Sequence, residues 1–146
     1  MAADPVFVDT NVLVYATRPS AAQHASAQAS LARLEGDGSS LWVSAQVLRE
    51  YLAAVTRPQA TAPALPMATA ITDVRRFRAA FDVAEVRPNV LHRLLHLLTT
   101  HSSSGRQVHD ANIVATMLEH SIRRLLTFNA GDFRRFAGII DIEPLP

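Results

Sequence analysis

Short apolar runs alternate along the chain with longer segments of helical periodicity. The apolar runs predict strands at 5–8, 41–43, 82–86, 124–127 and 139–142. Apolar residues spaced three or four apart predict helices over 20–34, 44–56, 67–81, 88–100 and 108–119, with short turns at 12–16 and 129–136. This alternation predicts an α/β fold: one domain over 1–146, an α/β/α sandwich around a mostly parallel sheet of four or five strands.

Several local signals refine these boundaries. Asn11 is expected to cap the turn at 12–16, and Ser44 to cap the helix that follows it. A helix is expected to open at Pro19 and Ser20. The helix over 88–100 is expected to turn four leucines toward the core: Leu91, Leu94, Leu95 and Leu98.

Composition narrows the class of protein. The 146 residues are 49% apolar and 18% charged, a globular balance, and the net charge of +1 leaves nucleic-acid binding to local patches. The absence of cysteine excludes disulfides, Cys-based zinc sites, iron–sulfur clusters and a cysteine nucleophile. Because no apolar run has the length of a membrane helix and the first residues lack a signal-peptide pattern, we expect a cytoplasmic protein without membrane contact.

Four acidic residues come from four separate segments, and at least two of them lie at the carboxyl edge of the predicted sheet. Asp9 ends the first strand, and the others are Glu50, Asp110 and Asp132. Active sites of parallel sheets lie beyond the carboxyl ends of the strands. Two carboxylates about 5 Å apart repel by roughly 3 kcal/mol at an effective dielectric near 20, so a cluster would need protons or a divalent cation. Oxygen ligands favour Mg²⁺ or Mn²⁺. Taken singly, each acid could instead be a cap or a helix-surface residue.

Four segments resemble, in order, the motifs of the PIN domain family of nucleases. They are FVDTNVL at 7–13, VLREY at 47–51, HDANIVA at 109–115 and LTFNAGDF at 126–133. Together they extend over nearly the whole chain. Their form resembles the VapC branch, the ribonuclease toxins of bacterial toxin–antitoxin pairs.

The resemblance implies an endoribonuclease that depends on Mg²⁺ or Mn²⁺ and leaves a 5′-phosphate and a 3′-hydroxyl. Asp9, Glu50 and Asp110 match the family's catalytic, metal-binding acids. The fourth position is open between Asn129 and Asp132; Asp132 is favoured. The expected supporting residues are Thr10, Asn11, Thr127 and Asn129.

The resemblance also implies partners: an RNA substrate, a small antitoxin protein and a second copy of the chain. Arg134 and Arg135 follow Asp132 closely and are candidates for RNA phosphates, and His109 is a candidate for substrate contact. The apolar helices within 20–35 and 44–57 are expected to form the antitoxin groove or the dimer face.

Two alternative functions stay open: a catalytically idle PIN-like domain that binds RNA or protein, and a non-toxic housekeeping ribonuclease. Other site types have less support. Asn11 stands where a haloacid-dehalogenase-type phosphatase has a second Asp. His92 and His96 have zinc-like spacing, but the Glu of a metalloprotease motif is missing. The serines at 102–104 lack a nucleophile elbow.

Overall fold

The first apolar run forms the central strand of a parallel sheet. The computed structural model describes residues 3–60 and 62–146. Residues 1, 2 and 61 of the predicted domain lie outside the described residues. Residues 1 and 2 also belong to the N-terminal segment in which no signal peptide is expected. Strand β1 (Pro5–Val8) has strands on both sides. Val6, Phe7 and Val8 are fully buried, since a parallel sheet is covered on both faces.

The described residues confirm the predicted α/β class, with five strands that all pair in parallel. The other strands are β2 (Ser40–Ser44), β3 (Asp82–Ala84), β4 (Arg124–Leu126) and β5 (Asp141–Ile142). The helices are α1 (Thr10–Ala16), α2 (His24–Gly36), α3 (Ala45–Val55), α4 (Met67–Ala80), α5 (Pro88–Thr100) and α6 (Gln107–Glu119), and a 3₁₀ helix covers Ala130–Phe136. Strands and helices share one apolar core.

The strand order creates a crevice beside β1. The order is β3-β2-β1-β4-β5, so the chain builds outward on one side of β1 and then crosses to the other. Ligands of α/β proteins bind at such a reversal, where the connections leave adjacent strands in opposite directions. Val8 pairs with Leu126 across β1 and β4. The next pair in register, Asp9 and Thr127, therefore lies at the mouth of the crevice.

The first two helices begin differently from the prediction. Asp9, not Asn11, is the N-cap of α1, because its side chain accepts the Thr10 N–H. Helix α2 begins at His24 rather than near residue 20, because residues 18–23 form turns. A ring nitrogen of His24 lies 2.8 Å from the Tyr15 carbonyl and anchors that start. The Ser44 cap is confirmed by the 3.3 Å bond from the Val47 N–H to its hydroxyl.

Three strands are shorter than predicted. Strand β4 ends at Leu126 rather than at Thr127, because its partner β1 ends at Val8. Strand β3 ends at Ala84 because its partner β2 ends at Ser44, which leaves Val86 85% exposed. Strand β5 begins at Asp141 because the N–H groups of Ile139 and Ile140 both bond the Phe136 carbonyl, closing a turn after the 3₁₀ helix.

The inward face of α5 is also different. Leu94 is buried and Leu98 packs on the core as predicted, but Leu97 takes the third inward place. Leu91 and Leu95 are 60% and 55% exposed. The helix packs chiefly on α6, and this neighbour decides which leucines turn inward.

The helices predicted to present an apolar partner face direct it into the core instead. The buried apolar residues of α3 are Val47, Leu48, Tyr51 and Val55, and those of α2 are Ala27 and Leu34. Exposed large apolar residues lie instead on α4, at β3 and on α5. No helix within the described residues is long and apolar enough to cross a membrane.

Candidate active site

Asp9 is the buried centre of the site, with 6% of its surface exposed. Its Oδ1 accepts the Thr10 backbone N–H at 2.8 Å. Its Oδ2 accepts the Thr127 hydroxyl at 2.8 Å and the Asn11 amide at 3.1 Å. Burial raises the pKa of Asp9, and these hydrogen bonds offset part of the rise. The carboxylate thus caps α1 and is also held rigidly at the crevice.

The predicted supporting residues join the ends of β1 and β4. Thr127 is fully buried, and its hydroxyl accepts the Asn129 backbone N–H at 3.0 Å while donating to Asp9. Asn11 accepts the Phe128 N–H at 3.0 Å. The structure therefore places Asn11 and Thr127 against Asp9, and Asn129 contributes through its backbone.

Glu50 reaches the same crevice from α3. The Thr10 hydroxyl donates to its Oε2 at 3.0 Å, and the Gln46 side-chain amide donates to its Oε1 at 3.0 Å. Thr10 therefore bonds Asp9 through its backbone and Glu50 through its hydroxyl. This makes Thr10 the link between the first two acids.

Asp110 completes a group of mutually repelling carboxylates. It lies half-buried in the first turn of α6. Burial raises its pKa to about 6, and the charges of Asp9, Asp132 and Glu50 add to the rise while Arg135 opposes it. The four predicted acids therefore act on one another at the carboxyl edge of the sheet. Asp132, in the first turn of the 3₁₀ helix, is exposed.

Arg135, a predicted RNA contact, is engaged within the protein. Its guanidinium donates to the Asp132 carbonyl at 2.5 Å, the Ser103 hydroxyl at 3.0 Å and the Gln107 carbonyl at 3.0 Å. It also lies 4.6 Å from the centre of the Phe136 ring. Its observed role is to tie the 3₁₀ helix to the start of α6.

The other two predicted RNA contacts are exposed. Arg134 lies on the outer side of the 3₁₀ helix, and His109 on the first turn of α6. Both stay predictions.

Sequence reasoning missed Gln46 and Asn112. Gln46 contacts Glu50, and Asn112 donates to the Gln46 side-chain oxygen at 2.6 Å. The role of Gln46 could have been predicted from its spacing, because it precedes Glu50 by four residues and so shares its helix face. Asn112 lay within the third motif without an assigned role.

The site offers the oxygen ligands of a hard divalent cation. Among residues 3–60 and 62–146, no three His, Asp or Glu side chains are arranged to enclose a metal ion. Mg²⁺ usually keeps several waters and is held by only one or two carboxylates, so a closed cage is not required. Burial and then the charges of the neighbouring acids raise the pKa of Asp110, and a bound cation would offset both effects. The donor chemistry therefore fits Mg²⁺ or Mn²⁺.

Fold and site together define an α/β protein with a cluster of carboxylates at the point where the strand order of its parallel sheet reverses. The model of the PIN domain matches residues 6–139. The chain belongs to the PIN domain family, which confirms the resemblance drawn from the four motifs.

Solved structures of toxin–antitoxin proteins share this fold. VapBC2 from Rickettsia felis, bound to a DNA fragment from its promoter, is 16% identical with a TM-score of 0.69, covering 97% of this chain and 99% of that chain. Mycobacterium tuberculosis VapC20, described as a sarcin–ricin loop cleaving toxin, is 20% identical with a TM-score of 0.69, covering 95% and 99%. A toxin–antitoxin complex from Klebsiella pneumoniae is 19% identical with a TM-score of 0.62, covering 95% and 96%. Curated proteins compared by sequence give no match.

Proposed function

We propose that this protein is a metal-dependent endoribonuclease that acts as the toxin of a toxin–antitoxin pair. The observation that carries the proposal is the gathering of Asp9, Glu50, Asp110 and Asp132 at one sheet edge. There, burial and then the charges of the other three acids raise the pKa of Asp110. The PIN domain match and the fold shared with VapC20 and VapBC2 support it.

In this proposal Asp9, Glu50, Asp110 and Asp132 are the metal-binding acids. Bound Mg²⁺ or Mn²⁺ would supply Lewis-acid chemistry, activating water and neutralising charge on the scissile phosphate. The chain's own contribution is orientation: Thr127 and Asn11 hold Oδ2 of Asp9, and Thr10 bonds both Asp9 and Glu50. Arg134 and His109 are proposed to contact RNA at the rim.

The proposed partners follow from the same class of protein. An antitoxin would block the acidic crevice, and a basic side chain is the chemistry that the four carboxylates would accept. A second copy of the chain would form a homodimer. The proposed place of action is the cytoplasm, where RNA and antitoxin meet.

The first test is cleavage of total bacterial RNA by the purified, antitoxin-free protein. We expect discrete fragments with Mg²⁺ or Mn²⁺, none with EDTA, and none from Asp9→Asn, which removes a metal-binding charge at nearly constant volume. Glu50→Gln serves as a second loss-of-charge variant should Asp9→Asn misfold. Asp37→Asn, on an exposed residue at the end of α2, is the matched control and should cleave like the wild type.

Two outcomes would overturn parts of the proposal. RNA binding without cleavage by folded wild-type protein with either metal would favour the idle binding domain. Cleavage without growth arrest, when the wild type is expressed in a bacterial host without an antitoxin, would favour a housekeeping ribonuclease. Growth arrest by the wild type but not by Asp9→Asn supports the toxin.

A further inference from the structure

Gln46 lies one helical turn before Glu50 on α3, facing the first turn of α6. Residues four apart on a helix are neighbours on one face. The Gln46 side-chain NH₂ donates to Glu50 Oε1 and to the His109 backbone carbonyl, both at 3.0 Å. His109 immediately precedes Asp110 in sequence. One amide group therefore spans the gap between the segments that carry two of the acids.

Asn112 fixes which way that amide points. Its side-chain NH₂ donates to Gln46 Oε1 at 2.6 Å. With the oxygen engaged there, the two N–H groups of Gln46 must face Glu50 and His109. The amide donates both protons and accepts one bond, so its main hydrogen-bonding capacity is used.

The remaining contacts of Glu50 show why this matters. Thr10 holds Oε2 of the carboxylate, and Gln46 holds Oε1. Without Gln46, one oxygen of Glu50 would turn under repulsion from the other acids. Neutral donors can orient a carboxylate without cancelling the charge that a cation needs.

We infer that Gln46, oriented by Asn112, is a positioning residue that sets the Glu50 carboxylate and the Asp110 turn of α6 at a fixed separation. This inference rests on the proposed metal-dependent cleavage and extends it to residues outside the four motif acids. Gln46 touches neither substrate nor reacting atoms in this role; it acts through Glu50 and the backbone of α6.

The test uses two variants of Gln46. Gln46→Ala removes the amide that bonds Glu50 and the His109 carbonyl. Gln46→Glu keeps the shape of the side chain but replaces the amide with a carboxylate that cannot donate when ionised. Gln28→Ala is the matched control, because Gln28 is exposed on α2 and its amide bonds only the Ala16 carbonyl among the contacts described. Asn112→Ala removes the group that orients Gln46.

Three readouts are combined on the whole 146-residue chain. Calorimetric titration with Mn²⁺ alone should show affinity weakened about 10- to 100-fold in Gln46→Ala, the usual effect of losing a group that orients a metal ligand. On an RNA oligonucleotide that the wild type cleaves, kcat should fall by a similar factor while KM stays within about twofold. Hydrogen exchange in EDTA should quicken over 107–113 in Gln46→Ala. Asn112→Ala should show the same changes to a smaller extent.

The experiments distinguish a failure of the positioning role of Gln46 from a failure of the proposed function. If the wild type does not cleave, the proposed function fails, and exchange over 107–113 with Mn²⁺ titration still decides the role of Gln46. Wild-type Mn²⁺ affinity and wild-type exchange in a folded Gln46→Ala protein would overturn the inference. An equal loss in Gln28→Ala would also overturn it, because the effect would then not depend on the site.

Discussion

The pKa of Asp110 depends on its burial and on the charges of the other acids in the site. In the folded protein its pKa is raised from 3.8 to about 6, first by burial and then by the neighbouring acids. The folded state therefore holds this proton more tightly than the unfolded chain does. Its stabilising effect is complete below the unfolded value and is lost as the pH rises through the folded value. The stability lost when Asp110 ionises is the cost of burying a carboxylate among other acids at a functional site.

We therefore predict that the metal-free protein loses stability as the pH rises from about 4 to about 6. Asp110→Asn should flatten this part of the profile and raise Tm at pH 7.5, because it removes a charge that is costly to bury and that the neighbouring acids repel. The measurement is thermal unfolding in EDTA from pH 4 to 8. Asp37→Asn should keep the wild-type profile. Superimposable curves for wild type and Asp110→Asn would show that folding does not raise the pKa of Asp110.

At the scale of elements, the 3₁₀ helix positions Asp132 only because it is fastened to α6. Phe133 and Phe136 anchor it in the core, as packing residues rather than exposed stacking surfaces. Arg135 then joins it to Ser103 and Gln107, across the loop before α6. Asp132 and Asp110 are thereby brought to the same edge of the crevice.

Arg135→Gln should weaken the attachment of the 3₁₀ helix to α6, because it removes the guanidinium that bonds Ser103 and Gln107. We expect a loss of about 1–2 kcal/mol of unfolding free energy, since the lost hydrogen bonds come from a charged group. Hydrogen exchange should quicken over 101–107. Arg134→Gln is the matched control on the neighbouring, exposed residue, and its stability should stay within about 0.5 kcal/mol of the wild type. Equal destabilisation by both variants would contradict the assigned role of Arg135.

At the scale of the whole molecule, three exposed apolar residues form what we call the α5 face: Val86, Leu91 and Leu95. The face adjoins β3, an edge strand of the sheet. Contiguous exposed apolar surface and open strand edges are typical of association sites. Since the predicted helices at 20–35 and 44–57 bury their apolar residues, the α5 face is the better candidate for the proposed homodimer contact.

A double variant tests that contact. Wild-type protein should elute with twice the chain mass in light scattering, and Leu91→Ser combined with Leu95→Ser should shift it toward the monomer. Both leucines are exposed in the single chain, so monomer folding should be retained, as circular dichroism can show. Met67→Ser, on an exposed apolar residue of α4, should leave the dimer intact. A wild-type monomer at every concentration, or a dimer that survives the double variant, would rule out this face.

The amino-acid sequence by itself determined the features that depend on neighbours along the chain. The run Val6–Val8 predicts a strand buried on both faces, and the Ser44 cap follows from one side chain and the next turn. Strand–helix alternation predicts the parallel sheet, since right-handed crossovers leave few alternatives. The acids Asp9, Glu50 and Asp110 were recognisable from their motifs.

Only the tertiary structure decided the features that depend on contacts between distant segments. The ends of β3 and β5 are set by their partners, and the inward face of α5 by its packing on α6. The bonds of Gln46 to His109 and Asn112 join residues more than sixty positions apart. The physical reason is that local preferences fix the type of an element, whereas register, facing and polar pairing depend on which surfaces the fold brings together.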